Sequence, residues 1–112
     1  MISIYDFKKL EIKIGHSLSA EKVPDTDKLI RLSVDMGEES PRQIISGISE
    51  FFPDPSTLVG KKCAFAANLE PRTIKGLESQ GMILAVNGGE EGSKFFSLLE
   101  TSADVFPGSA VK

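Results

Sequence analysis

The 112-residue sequence is poor in residues that form covalent or metal cross-links. It has one cysteine, Cys63, one histidine, His16, and no tryptophan. A single cysteine excludes a disulfide within the chain. A zinc site would have to take most of its ligands from carboxylates, because structural zinc is normally held by several cysteines and histidines. We therefore predict no metal and no other cofactor, and the cysteine content fits a reducing, cytoplasmic setting.

Long apolar runs are also absent. No stretch approaches the roughly 20 residues that a membrane-spanning helix needs, and residues 1–13 mix charged with apolar side chains instead of forming a secretory signal. We expect no membrane partner. A chain of this length buries enough apolar surface to fold without staples, and 1–112 is predicted to be one domain.

The sequence has no surplus of basic residues. Thirteen Lys and Arg stand against sixteen Asp and Glu, a formal net charge of −3. Strongly electrostatic nucleic-acid binders usually carry the opposite balance. A local basic face is still compatible with this total, because Arg72 and Lys75 lie close together in sequence while Glu90 and Glu91 lie in a separate turn.

The pattern of apolar residues is that of short strands. Residues 30, 32 and 34 are apolar and alternate with polar residues 31, 33 and 35, and Gly, Pro, Asn and Asp turn signals recur along the chain. Strands are predicted at 10–23, 29–36, 42–48, 62–69, 82–86, 95–99 and 110–111, with a bend or bulge at Gly15 and antiparallel pairing throughout. Short helical turns are predicted at 3–8, capped by Ser3, and at 56–59.

This order predicts an all-β fold. A five-stranded Greek-key barrel with a short helix between its third and fourth strands is the oligonucleotide-binding (OB) architecture. Strand count alone leaves a β-sandwich open as the alternative. In the strand 62–69, Cys63 is flanked by apolar residues and is predicted to be a buried small hydrophobe.

The segment 68–82 is polar and glycine-punctuated where an apolar strand ends, and it carries the cations Arg72 and Lys75. Arg72 can fork onto a phosphate and Lys75 adds a point charge. Asn68, Ser79 and Gln80 offer neutral hydrogen-bonding groups suited to a ribose 2′-hydroxyl or a base edge. From the residues alone, Ser79 and Gln80 equally fit a turn cap and a water-facing side chain, and Met82 fits either the core or a ligand surface.

At this segment the sequence resembles the tRNA-binding domain that occurs as the C-terminal or β-subunit domain of methionyl-tRNA synthetases and as stand-alone tRNA-binding proteins. The resemblance covers nearly the whole chain, and its most specific blocks are Asn-Leu-Glu-Pro-Arg at 68–72 and Ser-Gln-Gly-Met at 79–82. It implies an OB fold, tRNA as partner, a homodimer, and methionyl-tRNA synthetase as a further candidate partner. The tRNA-contacting residues that it implies are Lys28, Asn68, Arg72, Lys75, Ser79, Gln80 and Met82.

No catalytic constellation is visible in the sequence. There is no nucleophile with a base and no paired-carboxylate site, and the glycine-rich stretch 88–92 lacks the lysine and spacing of a phosphate-binding loop. We therefore predict structure-specific tRNA binding without catalysis. Two alternatives remain open: a protein-interaction or CsaA-like export chaperone dimer on the same fold, and a dimerisation domain whose tRNA site has decayed. The outward rings of the pairs Phe51-Phe52 and Phe95-Phe96 could form a dimer contact or lie under a loop.

Overall fold

The computed structural model describes residues 1–102 and 104–112, and in them the chain forms ten strands, one short α-helix and two 3₁₀ turns. The helix is α1 (Ile4–Phe7). The strands are β1 (Ile12–Lys22), β2 (Ile30–Asp35), β3 (Arg42–Ser46), β4 (Lys62–Ala66), β5 (Arg72–Ile74), β6 (Leu77–Ser79), β7 (Met82–Ile83), β8 (Ala85–Gly88), β9 (Phe95–Leu98) and β10 (Ala110–Val111), and the 3₁₀ turns are Ser49–Phe51 and Pro55–Leu58.

Five of the strands curl into a nearly closed barrel in the order β3-β2-β1-β4-β7. The last strand, β10, pairs with the start of β1, and β5–β6 and β8–β9 form two separate hairpins. Every pairing among the described residues is antiparallel. The second 3₁₀ turn lies between β3 and β4, as in an OB barrel. The predicted fold class is confirmed, and the sandwich alternative is wrong.

The first strand is long because it serves two neighbours. Its first half, Ile12 to His16, pairs with β4, and its second half pairs with β2. The bulge lies at Leu18, where the register with β2 shifts between Ser17 and Ser19. The prediction of a bulge at Gly15 is therefore wrong in position.

Gly15 has a packing role instead. A β-carbon added there would come within 2.5 Å of Val34, 2.6 Å of Met36 and 2.8 Å of Phe65. Since real β-carbons do not approach other heavy atoms so closely, β1 can cross the barrel interior at this point only without a side chain.

The core forms where alternating strand residues point inward. Ile30, Leu32 and Val34 on β2 are at most 1% exposed, and Phe65 at the centre of β4 is equally buried. Cys63 on β4 is buried as predicted, and burial raises the pKa of its thiol to about 11. The thiol is therefore protonated and unreactive at neutral pH.

The predicted helical turns are present. The hydroxyl of Ser3 accepts a hydrogen bond from the N–H of Asp6 and caps α1, and the carboxylate of Asp54 caps the turn at Pro55–Leu58. No helix in the described ranges is long and apolar enough to cross a membrane.

Two strand predictions need correction. The predicted strand 82–86 divides into β7 and β8, because the chain leaves the barrel near Leu84 and β8 pairs with β9. This hairpin brings Phe96 against the core, where it stacks on Phe51 with ring centroids 4.2 Å apart. Phe95 is the ring that points outward, 54% exposed. The hairpin β5–β6 was not predicted at all.

We expect Gly15→Ala to destabilise the fold, because the added methyl must displace Val34, Met36 or Phe65. Overpacking of this kind costs about 1–3 kcal/mol. The control is Gly47→Ala, where an added β-carbon meets nothing within 4 Å. Urea denaturation measures the difference, and equal unfolding free energies for the two variants would contradict the packing role of Gly15.

Candidate nucleic-acid interface

The segment singled out by the sequence folds into a short hairpin. β5 and β6 pair with Arg72 opposite Ser79, Thr73 opposite Glu78 and Ile74 opposite Leu77. The two-residue turn between them has positive φ angles, 51° at Lys75 and 81° at Gly76. Such turns match the twist of a hairpin, and glycine at the second position is typical of them. The sequence analysis missed this hairpin, although the Lys75-Gly76 pair between two apolar residues is a signal that could have indicated it.

The turn conformation places a cation at the tip. A non-glycine residue in the left-handed region costs about 1 kcal/mol, and Lys75 adopts it at an exposed position. Lys75 and Lys28 line one groove of about 350 Å³ together with Ile74. The carboxylates of Asp25 and Asp27 belong to the same groove, so its charge is mixed.

Arg72 lies at the base of the hairpin and is also exposed. It lines a small cleft of about 40 Å³ with Leu69, Ile74 and Met82. None of the three cations Lys28, Arg72 and Lys75 takes part in a side-chain hydrogen bond or ion pair with another described residue. Their charged groups are therefore available to a ligand.

Met82 lies on the outer side of the barrel wall. It pairs with Ala66 where β7 meets β4 and is 44% exposed, whereas its neighbour Ile83 is 8% exposed and joins the core. Of the two positions that the sequence allowed, the structure places Met82 on the surface, beside Arg72.

Ser79 lies inside the protein, with 4% of its surface exposed. Its hydroxyl accepts a hydrogen bond from the N–H of Ile45 at 2.9 Å and lies 2.9 Å from the carbonyl oxygen of Gly81, to which it donates. The side chain is therefore nearly buried, although Ser79 borders the small cleft beside Arg72 and Met82. It joins the base of the hairpin to the edge of β3.

Gln80 continues this join. Its side-chain oxygen accepts from the N–H of Gln43 at 2.8 Å, and its own N–H donates to the carbonyl oxygen of Gln43 at 2.8 Å. The side-chain amide of Gln43 in turn donates to the carbonyl oxygen of Glu78. Residues 78–80 thus lie along the edge of β3 as a further strand would. Some of the hydrogen bonds between them and β3 are made by side chains instead of the backbone.

Asn68 anchors the other end of the segment. Its side-chain oxygen accepts from the N–H of Glu11 at 2.8 Å, and its amide nitrogen donates to the carbonyl oxygen of Lys9 at 2.7 Å. Both ends of the amide are occupied by the chain that leads into β1. Although Asn68 is exposed, its side-chain amide forms hydrogen bonds within the protein.

Arg42, at the start of β3, is a residue that the sequence analysis missed. Its Nε and Nη2 donate to the two carboxylate oxygens of Glu38 at 2.8 and 2.7 Å. Its Nη1 donates to the carbonyl oxygens of Ala67 and Gln80. The hydrogen bond from Arg42 lowers the pKa of Glu38, and the reciprocal bond raises the pKa of Arg42. Both groups remain charged at neutral pH. The contact with Glu38, four residues earlier, is local, but no sequence pattern marks the contacts with the carbonyl oxygens of Ala67 and Gln80, since these come from distant segments.

The predicted residues thus divide into two sets. Lys28, Arg72, Lys75 and Met82 form an exposed surface, which we call the hairpin surface; Asn68, Ser79 and Gln80 hold the segment in place through hydrogen bonds within the chain. No group of three or more metal-ligating residues occurs in the part of the chain that the structure describes.

Comparison with known proteins agrees with this architecture. The family described as "Putative tRNA binding domain" matches residues 12–110, and the chain belongs to that family. The methionine–tRNA ligase of Myxococcus xanthus is 50% identical over 107 residues, which are 96% of this chain and 14% of the ligase. The chain spans only 13–16% of the curated ligases that it matches. The resemblance predicted from the sequence is confirmed.

Two solved structures share the whole fold. A MetRS-related protein from Pyrococcus horikoshii superposes with a TM-score of 0.88 at 37% identity, covering 100% of this chain and 98% of that protein. The chaperone CsaA from Bacillus anthracis superposes with a TM-score of 0.82 at 27% identity, covering 100% and 99%. The fold is therefore common to relatives of the synthetase and to a chaperone.

We expect Ser79→Ala to lower the free energy of unfolding, because it leaves the buried N–H of Ile45 without an acceptor. Such an unsatisfied group costs about 1–3 kcal/mol. Ser40→Ala, at an exposed serine, is the matched control. Denaturation of both variants measures the effect. Loss of tRNA binding with unchanged stability would instead indicate that Ser79 contacts the RNA.

Proposed function

We propose that residues 1–112 act as one non-catalytic tRNA-binding domain that recognises tRNA by its shape. The observation that carries this proposal is the hairpin surface, where Lys28, Arg72 and Lys75 expose unpaired charges in a chain of the tRNA-binding domain family. The module would act beside a methionyl-tRNA synthetase in the cytoplasm, in trans or as a domain of it, and raise the local concentration of tRNA.

The chemistry of the hairpin surface suits the RNA backbone more than its bases. Arg72 offers a planar fork for a phosphate, and Lys28 and Lys75 offer point charges. Binders of unpaired bases place aromatic rings on their strands, whereas the segment 68–82 contains no aromatic residue. Contacts to phosphates and ribose identify the shape of a folded RNA without reading its sequence.

The electrostatic field at this surface is local. Several carboxylates elsewhere on the barrel are neutralised in ion pairs, as in Glu21–Arg31 and Glu38–Arg42. The acidic residues Asp25 and Asp27 nevertheless line the groove of Lys75. Long-range attraction is therefore weak, and affinity depends on close contact of a few cations with phosphates, which salt screens strongly.

The N-terminal surface supports a homodimer as part of this proposal. α1 has four residues and none of them is buried, and Ile2, Ile4 and Tyr5 are 59–76% exposed. So short a helix is unstable unless it packs against something. Its apolar face borders a groove of about 660 Å³ that also includes Val111 of β10.

A second copy of the chain is the occupant that this groove fits best. Most of the residues that line the groove are apolar, and Lys13 is paired with Glu11, whereas Lys8 and Lys112 add positive charge at its rim. In a two-fold dimer the same apolar patch faces itself, so the apolar residues of both copies are buried together.

We expect Ile4→Glu to dissociate this dimer, because it places a charge in the apolar contact. The matched variant is Phe95→Glu, which changes an equally exposed apolar residue on β9. Sedimentation velocity should give a monomer for the first and a dimer for the second. The reverse result would place the interface at the outward phenylalanine, and a monomeric unmodified protein at micromolar concentration would refute the homodimer.

For tRNA binding, the decisive variant is Arg72→Ala/Lys75→Ala. We expect its affinity for bulk tRNA to fall at least tenfold, and the salt dependence of log K to fall by about 1.5, since each phosphate contact contributes about 0.7–0.9 to that slope. Filter-binding titrations at several salt concentrations measure both quantities.

The control for that variant is Lys61→Ala/Lys94→Ala, which removes the same charge from a different groove, near Phe96. It should retain affinity. Equal losses for the two double variants would mean that binding is a non-specific charge effect. Absence of tRNA binding by the unmodified protein at low salt would favour the chaperone alternative.

A further inference from the structure

Arg42 contacts both ends of the segment 68–80, which contains the hairpin. Ala67 is the last residue before Asn68, where the chain leaves β4, and Gln80 is where it returns towards β7. A single guanidinium nitrogen of Arg42 donates to the carbonyl oxygens of both residues, at 2.5 and 3.1 Å. One side chain on β3 therefore closes the base of the segment 68–80.

The remaining nitrogens of Arg42 are also occupied. The carboxylate of Glu38 takes Nε and Nη2 in a two-point contact, the geometry that best fixes a guanidinium. The side chain of Arg42 is only 22% exposed. An arginine in this state has little to offer a phosphate, unlike the unpaired Arg72.

The hairpin depends on such contacts at its base. Among the described strands, β5 and β6 pair only with each other, and an isolated two-stranded hairpin is marginally stable in water. Its link to the barrel runs through β3: Ile45 to Ser79, Gln43 to Gln80 and Glu78, and Arg42 to Gln80. The orientation of Arg72 and Lys75 is set by these bonds.

From this geometry we infer that Arg42, oriented by Glu38, is a positioning residue for tRNA recognition: it holds the hairpin in the orientation that presents Arg72 and Lys75, and it does not contact the RNA. The inference rests on the proposed tRNA-binding function. It assigns opposite roles to two arginines that a list of basic residues would treat alike.

Glu38 provides the sharpest test, because a positioning role and a contact role predict opposite results for it. If Arg42 contacted phosphate, neutralising Glu38 would free its charge and strengthen tRNA binding. If Arg42 is a clamp, the same change loosens the guanidinium and weakens binding. Glu38→Gln is compared with Glu39→Gln, which makes the same change in net charge at the next residue. Glu39 is exposed and makes no side-chain hydrogen bond or ion pair with another described residue.

We expect Glu38→Gln to bind tRNA about three- to tenfold more weakly than Glu39→Gln, on the order of the loss of one ordinary hydrogen bond, because glutamine keeps one oxygen that can accept from Arg42. Binding by Glu38→Gln that equals or exceeds that of Glu39→Gln overturns the inference.

Substitution of the arginine itself separates charge from geometry. Lysine keeps the charge of Arg42 but cannot make the two-point contact. Arg42→Lys should therefore lose about tenfold in affinity, because the loosened hairpin must be ordered when tRNA binds. The salt slope should stay that of the unmodified protein, since the bound state keeps the phosphate contacts of Arg72 and Lys75. Full affinity in Arg42→Lys, or a slope lowered by about 0.7–0.9 in Arg42→Ala, would overturn the positioning role.

Hydrogen exchange provides a readout that does not depend on tRNA. The amides of β5 and β6 should exchange faster in Arg42→Lys and Glu38→Gln than in Glu39→Gln, whereas those of β2 should be unchanged. Failure of the unmodified protein to bind tRNA refutes the proposed function but leaves this result interpretable. Unchanged exchange in the hairpin refutes the clamp even if tRNA binds.

Discussion

The outer edge of β3 is the constraint on which the barrel and its binding surface both depend. Backbone groups at the edge of a sheet must find partners, and here the N–H groups of Gln43 and Ile45 find them in the side chains of Gln80 and Ser79. The segment that satisfies this edge is the same segment that ends the hairpin. The same hydrogen bonds therefore close the barrel at this edge and position the hairpin. A substitution that breaks them should affect both.

The same constraint explains how a short polar motif serves two purposes. Side chains whose hydrogen-bonding groups are used within the protein, those of Asn68, Ser79 and Gln80, give the segment a defined position. The cations between them, Arg72 and Lys75, lie at exposed positions and make no side-chain hydrogen bond or ion pair with another described residue. Binding to charges that are already held in position costs less entropy than binding that must first order a flexible loop of the protein. The proposed binding surface gains its specificity from this arrangement, since the overall charge of the chain supplies little attraction.

The net charge of −3 is compatible with tRNA binding because charges act over short distances at physiological salt. Ion pairs such as Glu38–Arg42 consume acidic and basic groups together. Glu90 and Glu91 lie in the β8–β9 connection, outside the segment 68–82. The fold is shared with a chaperone structure as well as with relatives of a tRNA synthetase. The barrel alone therefore does not decide the function, and the proposed function rests on the side chains that the hairpin exposes.

The sequence by itself determined the fold class, because strand alternation and turn residues act locally: the buried positions of β2, the cap at Ser3 and the short turn after Pro55 all follow from neighbouring residues. It also marked the segment 68–82 through its motif. Only the tertiary structure decided what each residue of that motif does. Ser79 lies under the barrel edge and Met82 on the surface, and Arg42 joins Glu38, Ala67 and Gln80. Apart from the pair of Arg42 with Glu38, these contacts connect residues far apart in the chain, and no local pattern encodes a partner that arrives from another strand.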